Sequence, residues 1–261
     1  MNEITISSFG DLIEKLFDKS WDPKIKRFRS HYVFRGLSDE SYQLKTTLMR
    51  LGGNYAMMEK LLLRNFRKYA HRDVVPQDSI WNWLSIAEHH GLPTRLLDWT
   101  FSPLIAAHFA TCNLEKFNLN GAIWCVDFIK THNLLPPKLK TLLKKESAPQ
   151  LNAEMLGKSV KSLQEFDMLS SSGLVAFFEP PALDDRIVNQ YALFSVMSNP
   201  KALLDNWLKK HPALYRKIII PARLKWEIRD KLDKTNITER VLFPGLDGLS
   251  SWLKRYYTPS F

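Results

Sequence analysis

The residues best equipped for chemistry crowd into one stretch, Glu88-His89-His90-Gly91-Leu92-Pro93-Thr94-Arg95-Leu96-Leu97-Asp98-Trp99-Thr100. Two histidines, an arginine, two acids and two threonines alternate there with Leu92, Leu96, Leu97 and Trp99, which favour burial. A half-buried segment with such a content must give its charges partners, because an unpaired buried charge is expensive. Two arrangements satisfy this: an ion-pair network that shapes the fold, or a site that holds a charged ligand. Further polar residues stand beside apolar runs elsewhere: Arg35 in Phe34-Arg35-Gly36, and Arg186 and Gln190 in the segment Arg186–Val196.

Several chemistries are excluded by spacing. Adjacent His89 and His90 diverge by about 100° on a helix, so they rarely share one ion. His-x₃-His and paired-cysteine spacings are missing, and no metal is expected. His108 falls in an apolar helix and reads as a satisfied core histidine. There is no G-x-S-x-G elbow, no phosphate loop and no G-x-G-x-x-G, which argues against a serine hydrolase, a P-loop ATPase and a Rossmann enzyme.

The chain has 261 residues, 45% hydrophobic, with eight Trp and fifteen Phe, enough for a sizeable core. Cys112 and Cys125 are its two cysteines, without redox or metal spacing, which fits a reducing compartment. Asp11, Glu14 and Lys15 interrupt Ile4–Phe17, so no signal peptide is expected, and no apolar run is long enough for a membrane span. These features together place the expectation in the cytoplasm, with no membrane partner. A net charge of +10 favours polyanions such as nucleotides or nucleic acid.

The elements that must position the polar residues follow from periodicity and caps. Residues 3–17 are predicted as a helix capped by Ser7 or Ser8, and His31–Gly36 as a strand ending in a glycine that allows close backbone approach. Residues 38–54 read as loop. Tyr55–Tyr69 is an amphipathic helix with Met58, Leu61, Leu62, Leu63 and Phe66 inward. Asp73–Asp78 reads as a loop, Trp81–Glu88 as a helix, and Leu96–Thr100 as a strand. Ser102 and Pro103 start the buried helix 104–112. Gly121–Phe128 is a central strand, 133–165 a charged surface insertion, and Arg186–Val196 a strand carrying Gln190. Tyr215–Ile220 is a strand, Leu224–Leu232 a helix, and Leu242–Gly248 a turn before the last helix. Helices mixed with scattered strands imply an α+β class.

Phe34-Arg35-Gly36, the block His89–Thr100 with Ser102-Pro103 and Ala107-His108-Phe109-Ala110, Arg186–Phe194, and Leu242–Gly248 together resemble the FRG domain, a family named for its F/Y-R-G motif. On that resemblance the chain divides into an N-terminal helix and linker at 1–29 and an FRG domain at 30–261. The family is functionally uncharacterised, so the resemblance implies no activity by itself.

A more distant likeness is to ADP-ribosyltransferases, which present a strand ending in Arg-Gly or His-Gly, a Ser-Thr-Ser-type strand, a P-x-x-A-x-x-F/Y-A helix and a strand with a catalytic Glu. Phe34-Arg35-Gly36 is similar to the first, Leu97–Thr100 with Pro103–Ala110 resembles the second and third, and Asn189–Phe194 is similar to the last. This implies an ADP-ribosyltransferase-like core, a single domain with small mixed or antiparallel sheets and flanking helices, and NAD as substrate. Phe34, Arg35, Gly36, His89, His90, Arg95, Thr100 and Arg186 would bind it. Arg35, His90, Gln190 and Asp98 would act on it, Arg35 through charge-assisted hydrogen bonds. Gln190 is neutral where an active transferase carries Glu, so the carboxylate would come from Asp98, Glu179 or Asp185. The acceptor would be protein, nucleic acid or water, in a toxin or phage-defence setting. The competing reading is a non-enzymatic module that binds nucleic acid or nucleotide through a basic surface.

Overall fold

A computed structural model describes residues 2–70, 75, 77–171, 173–182 and 184–259. Asp73 and Pro76 of the expected loop lie outside the described residues.

The strands are β1 (Glu3–Thr5), β2 (Trp21–Asp22), β3 (Arg27–Phe28), β4 (Tyr32–Leu37), β5 (Leu96–Thr100), β6 (Gly121–Asp127), β7 (Leu151–Asn152), β8 (Val175–Glu179), β9 (Ala192–Met197) and β10 (Tyr215–Ile220). Eight of them form one mixed sheet in the order β1-β10-β6-β4-β5-β9-β8-β7, while β2 and β3 pair separately as a hairpin. The architecture is mixed α/β around a large sheet, where small sheets were expected.

The helices are α1 (Phe9–Phe17), α2 (Thr47–Arg50), α3 (Tyr55–Tyr69), α4 (Ile80–His89), α5 (Pro103–Thr111), α6 (Phe128–His132), α7 (Pro137–Lys145), α8 (Ala153–Ser159), α9 (Leu163–Asp167), α10 (Asp185–Asn189), α11 (Leu204–Lys209), α12 (Lys225–Lys234), α13 (Glu239–Leu242) and α14 (Leu246–Tyr256). Among the described residues no helix is long and apolar enough to cross a membrane.

Alternation along the strands sorts the core into separate packs. Phe34, Ile123, Cys125, Ile218 and Ile220 lie under α1, α5 and α12. Leu96, Ala176, Phe178, Phe194 and Val196 lie under α4, α7, α8 and α9. The intervening positions Val33, Leu97, Trp99, Trp124, Phe177 and Leu193 pack together with Phe128, Leu204 and Leu208.

The sheet is weakest at its middle. β4 holds β6 through six residue pairs, and β5 holds β9 through five, yet β4 and β5 meet only at Phe34 and Thr100. Residues of both strands around that single pair line the candidate site.

Five expectations change. Residues 3–5 form β1, parallel to β10, because helix α1 starts only after Ser8, whose hydroxyl accepts the Asp11 N–H. The N-terminal 29 residues therefore supply an edge strand of the sheet as well as a helix. Segment 133–165 keeps its lysines outside, but buries Leu135, Leu139, Leu151, Leu156 and Val160 and adds β7 to the sheet, so it packs into the core as well as covering the surface. In α3, Met58 and Leu61 are exposed while Glu59 is buried, because Arg95 waits beneath the helix to pair with that acid. Arg186–Gln190 is helical: Asp184 caps α10 by accepting the Ile187 N–H, Gln190 ends it, and β9 starts at Ala192. Leu246-Asp247-Gly248 opens α14, directly after Gly245 at φ +110°.

A candidate functional site where two strands meet

Local sequence fixes the walls of the site. Ser102 accepts the Ile105 N–H and Pro103 occupies the first turn of α5, so the helix leaves β5 sharply. The Thr100 hydroxyl accepts the Ser102 N–H at 3.0 Å and ties that corner down. Helix α5 then lies hard against β4. A Cβ on Gly36 would stand 1.9 Å from the Ala106 carbonyl oxygen, so the space that glycine vacates is filled by the helix backbone. Gly36 itself lines the pocket beside Arg35 while α5 fills the space of its missing side chain.

Arg35 reaches from β4 to β5. Its Nη1 donates to the backbone carbonyl of Asp98 at 2.5 Å, and the Asp98 carboxylate lies 3.7 Å away. Among the described residues its buried Nε has no hydrogen-bond partner. Burial pulls the Arg35 pKa below its ordinary value, with Asp98 and Glu88 opposing.

The pocket beside Arg35 has a volume of about 190 Å³. Asp98, Thr100, Arg186 and Gln190 line it with Arg35, and Phe34, Trp99 and Phe109 supply apolar wall. Arg186 crosses from the sequence-distant segment: its Cζ lies 5.1 Å over the Phe243 ring, and its Nε is also buried without a partner. Two arginines with unspent buried donors thus meet at one pocket. Gln190 donates from Nε2 to the Leu242 carbonyl at 2.9 Å, which fixes the amide against α13.

Residues 30–119 match the family model of the FRG domain. That match covers 90 of the 261 residues. No curated protein and no solved structure matches the chain. The matched FRG segment contains Arg35, Gly36, His89, His90, Asp98 and Thr100, whereas Arg186 and Gln190 reach the pocket from outside it.

A second cavity, about 410 Å³, adjoins through the shared Arg186 and is lined by His89, His90, Asp184, Asp185 and Phe243. His89 Nε2 lies 2.6 Å from Asp184 Oδ2. Burial raises the Asp184 pKa, but the Ile187 N–H and His89 overcome this and hold it below its ordinary value. His90 sits exposed at the end of α4, its ring edge-on to His89 at 5.2 Å. Both histidines thus line one cavity, His89 held by Asp184 and His90 exposed. Among the described residues no group of three or more His, Cys, Asp or Glu is placed to hold a metal.

Arg95 is elsewhere. Its guanidinium is buried and bidentate on Glu59, with Nε at 2.7 Å from Oε1, and its Nη1 bonds Asp167. It lines neither the Arg35 pocket nor the histidine cavity. Glu179 accepts from Gln150 at the far edge of the sheet, which leaves Asp98 and Asp185 of the three carboxylates considered. His108 is fully buried and takes a hydrogen bond from Arg229 at Nδ1, 2.7 Å away; burial first, then Arg229, push its pKa down to about 3. Cys125 is pushed up to about 12 by burial, so its thiol is inert.

Sequence reasoning missed Glu88. Its Oε2 accepts from the Thr94 and Thr47 hydroxyls. Burial, and then the charge of Asp98, push its carboxyl up to about 8, against Thr94 and Arg35. A signal existed: an acid in the last turn of a helix opposes the macrodipole and asks for a reason. Phe109 and Phe243 were missed too, having the look of ordinary core aromatics.

Proposed function

We propose that this FRG domain binds a pyrophosphate-bearing nucleotide, NAD first among them, and cleaves it at the nicotinamide ribose. The observation that carries the reading is the pair Arg35 and Arg186, each with a buried, unpartnered Nε at one pocket. A buried guanidinium donor without an acceptor is costly, and a phosphate oxygen is the acceptor it matches best. The planar walls of Trp99 and Phe109 suit an aromatic ring beside those anions.

In this reading the arginines hold the phosphates and Gln190 orients the ribose hydroxyls. Asp98 supplies the negative charge that Gln190 lacks, stabilising the oxocarbenium-like transition state as carboxylates do in glycoside cleavage. The bond from C1′ to the nicotinamide nitrogen breaks, and nicotinamide leaves with the electron pair. The oxygen or nitrogen of water, protein or nucleic acid bonds to C1′ and loses its proton to solvent or a nearby carboxylate. His90 contributes from the adjoining cavity, where an acceptor or the distal part of the nucleotide would lie.

The test is nicotinamide release from NAD by the wild-type protein and Arg35→Ala, with and without cell lysate, together with NAD-induced change in melting temperature. Release and a thermal shift that both vanish in a folded Arg35→Ala support the reading. No release in any extract, with no thermal shift, sinks it.

A further inference from the structure

On the far side of the N-terminal region, the β2–β3 hairpin presents an unusual surface. Trp21 is 52% exposed, Ile25 53% and Phe28 66%, and the two rings meet edge to face at 5.2 Å. Around them stand Lys19, Lys24, Lys26, Arg27 and Arg29, all exposed. Among the described residues none of these five has a carboxylate within ion-pair distance, as is true of other exposed cations such as Lys60 and Arg64; what sets them apart is the two exposed rings between them. The neighbouring acids are engaged: Asp18 pairs with Arg216, and Asp22 accepts the Lys24 N–H. Lys19 and Lys26 hold φ of +59° and +52°, where glycine or asparagine is the easier residue, so the turns keep cations at a conformational cost.

Beside the hairpin runs a groove of about 520 Å³, lined by Phe17, Trp21 and Phe28 with Lys15, Lys19, Glu14 and Asp18; the two acids are paired, Glu14 with Lys15 and Asp18 with Arg216, which leaves Lys19 as the groove's unpaired charge among the described residues. We infer that this hairpin and groove bind single-stranded nucleic acid, bases stacking on Trp21 and Phe28 while Lys19, Lys24, Lys26, Arg27 and Arg29 take the phosphates. Exposed rings interleaved with unpaired cations are the physical requirement for such a strand, since every base offers a π-face and every phosphate a charge. A concave groove suits an inserted base, whereas a bilayer asks for a flat or convex apolar face. The inference stands apart from the NAD reading, because no residue of the hairpin lines the Arg35 pocket.

The experiment is fluorescence anisotropy of a labelled oligo(dT) of about 12 nucleotides, within the usual site size of such grooves, titrated with the full chain at several salt concentrations. Saturable binding that weakens steeply with salt is expected. Trp21→Ala and Phe28→Ala should each weaken it about 10-fold without changing the salt slope. The triple variant Lys24→Gln, Lys26→Gln, Arg27→Gln should flatten the slope by about 2. These positions are exposed, so an unchanged melting temperature verifies that the variants are folded. Absence of saturable binding at low salt overturns the inference, as does wild-type affinity in both ring variants. Sedimentation with phosphatidylserine–phosphatidylcholine vesicles but no oligonucleotide binding overturns it in favour of a membrane surface.

Discussion

Arg35 holds the backbone of Asp98 more closely than its side chain: Nη1 reaches the carbonyl oxygen at 2.5 Å, while the ion-paired carboxylate stands at 3.7 Å and is mostly exposed. The two halves of the sheet are therefore tied by a contact that survives loss of the Asp98 carboxylate. Asp98→Asn should change unfolding free energy by less than about 1 kcal/mol, as for exposed ion pairs, yet lower nicotinamide release from NAD on the order of 10²-fold. Urea titration and single-turnover assays check the two halves of this statement. A large loss of stability in Asp98→Asn would make the carboxylate a scaffold element.

Gly36 is required by packing. The 1.9 Å approach of its would-be Cβ to the Ala106 carbonyl, with the Ala110 nitrogen at 2.6 Å, leaves no room for a methyl group. Gly36→Ala should cost about 3 kcal/mol by overpacking between β4 and α5, read as a lower urea midpoint. A stable Gly36→Ala that merely lost ligand binding would contradict this.

Glu88 makes stability depend on pH in a particular direction. Its carboxyl titrates near 4.5 in the unfolded chain and about 8 in the folded one. The folded state thus holds the proton more tightly, and the contribution is full below pH 4.5 and lost as pH rises through about 8. Glu88→Gln imitates the protonated form, so its melting temperature relative to wild type should climb across that window by on the order of a few °C. Parallel melting curves for the two proteins would refute the shift.

The Arg95–Glu59 pair is buried away from the Arg35 pocket and the histidine cavity. Both side chains are buried, and removing one partner strands the other charge. Glu59→Leu should cost about 3–5 kcal/mol, while the NAD-induced rise in melting temperature persists in whatever fraction remains folded. Loss of the NAD response at unchanged stability would return Arg95 to the ligand site.

Local rules decided much of this chain from the sequence. Helix α3, strand β5 and the Ser102-Pro103 start of α5 fall where periodicity and caps place them, because each depends on neighbours within one or two turns. The residues Arg35, Asp98, Thr100, Arg186 and Gln190 were also legible as polar groups needing partners, and one pocket gathers all five. Partner choice was not legible. Whether Arg95 or Arg35 would be consumed by an ion pair depended on Glu59 and Asp167, 36 and 72 residues away. The helical placement of Gln190 was set by the Asp184 cap and by the Leu242 carbonyl that takes its amide. The charge state of Glu88 came from burial beside Asp98, which no spacing reveals. Only the tertiary structure left β4 and β5 joined at a single residue pair, because the pairing of strands is long-range and belongs to no residue in either.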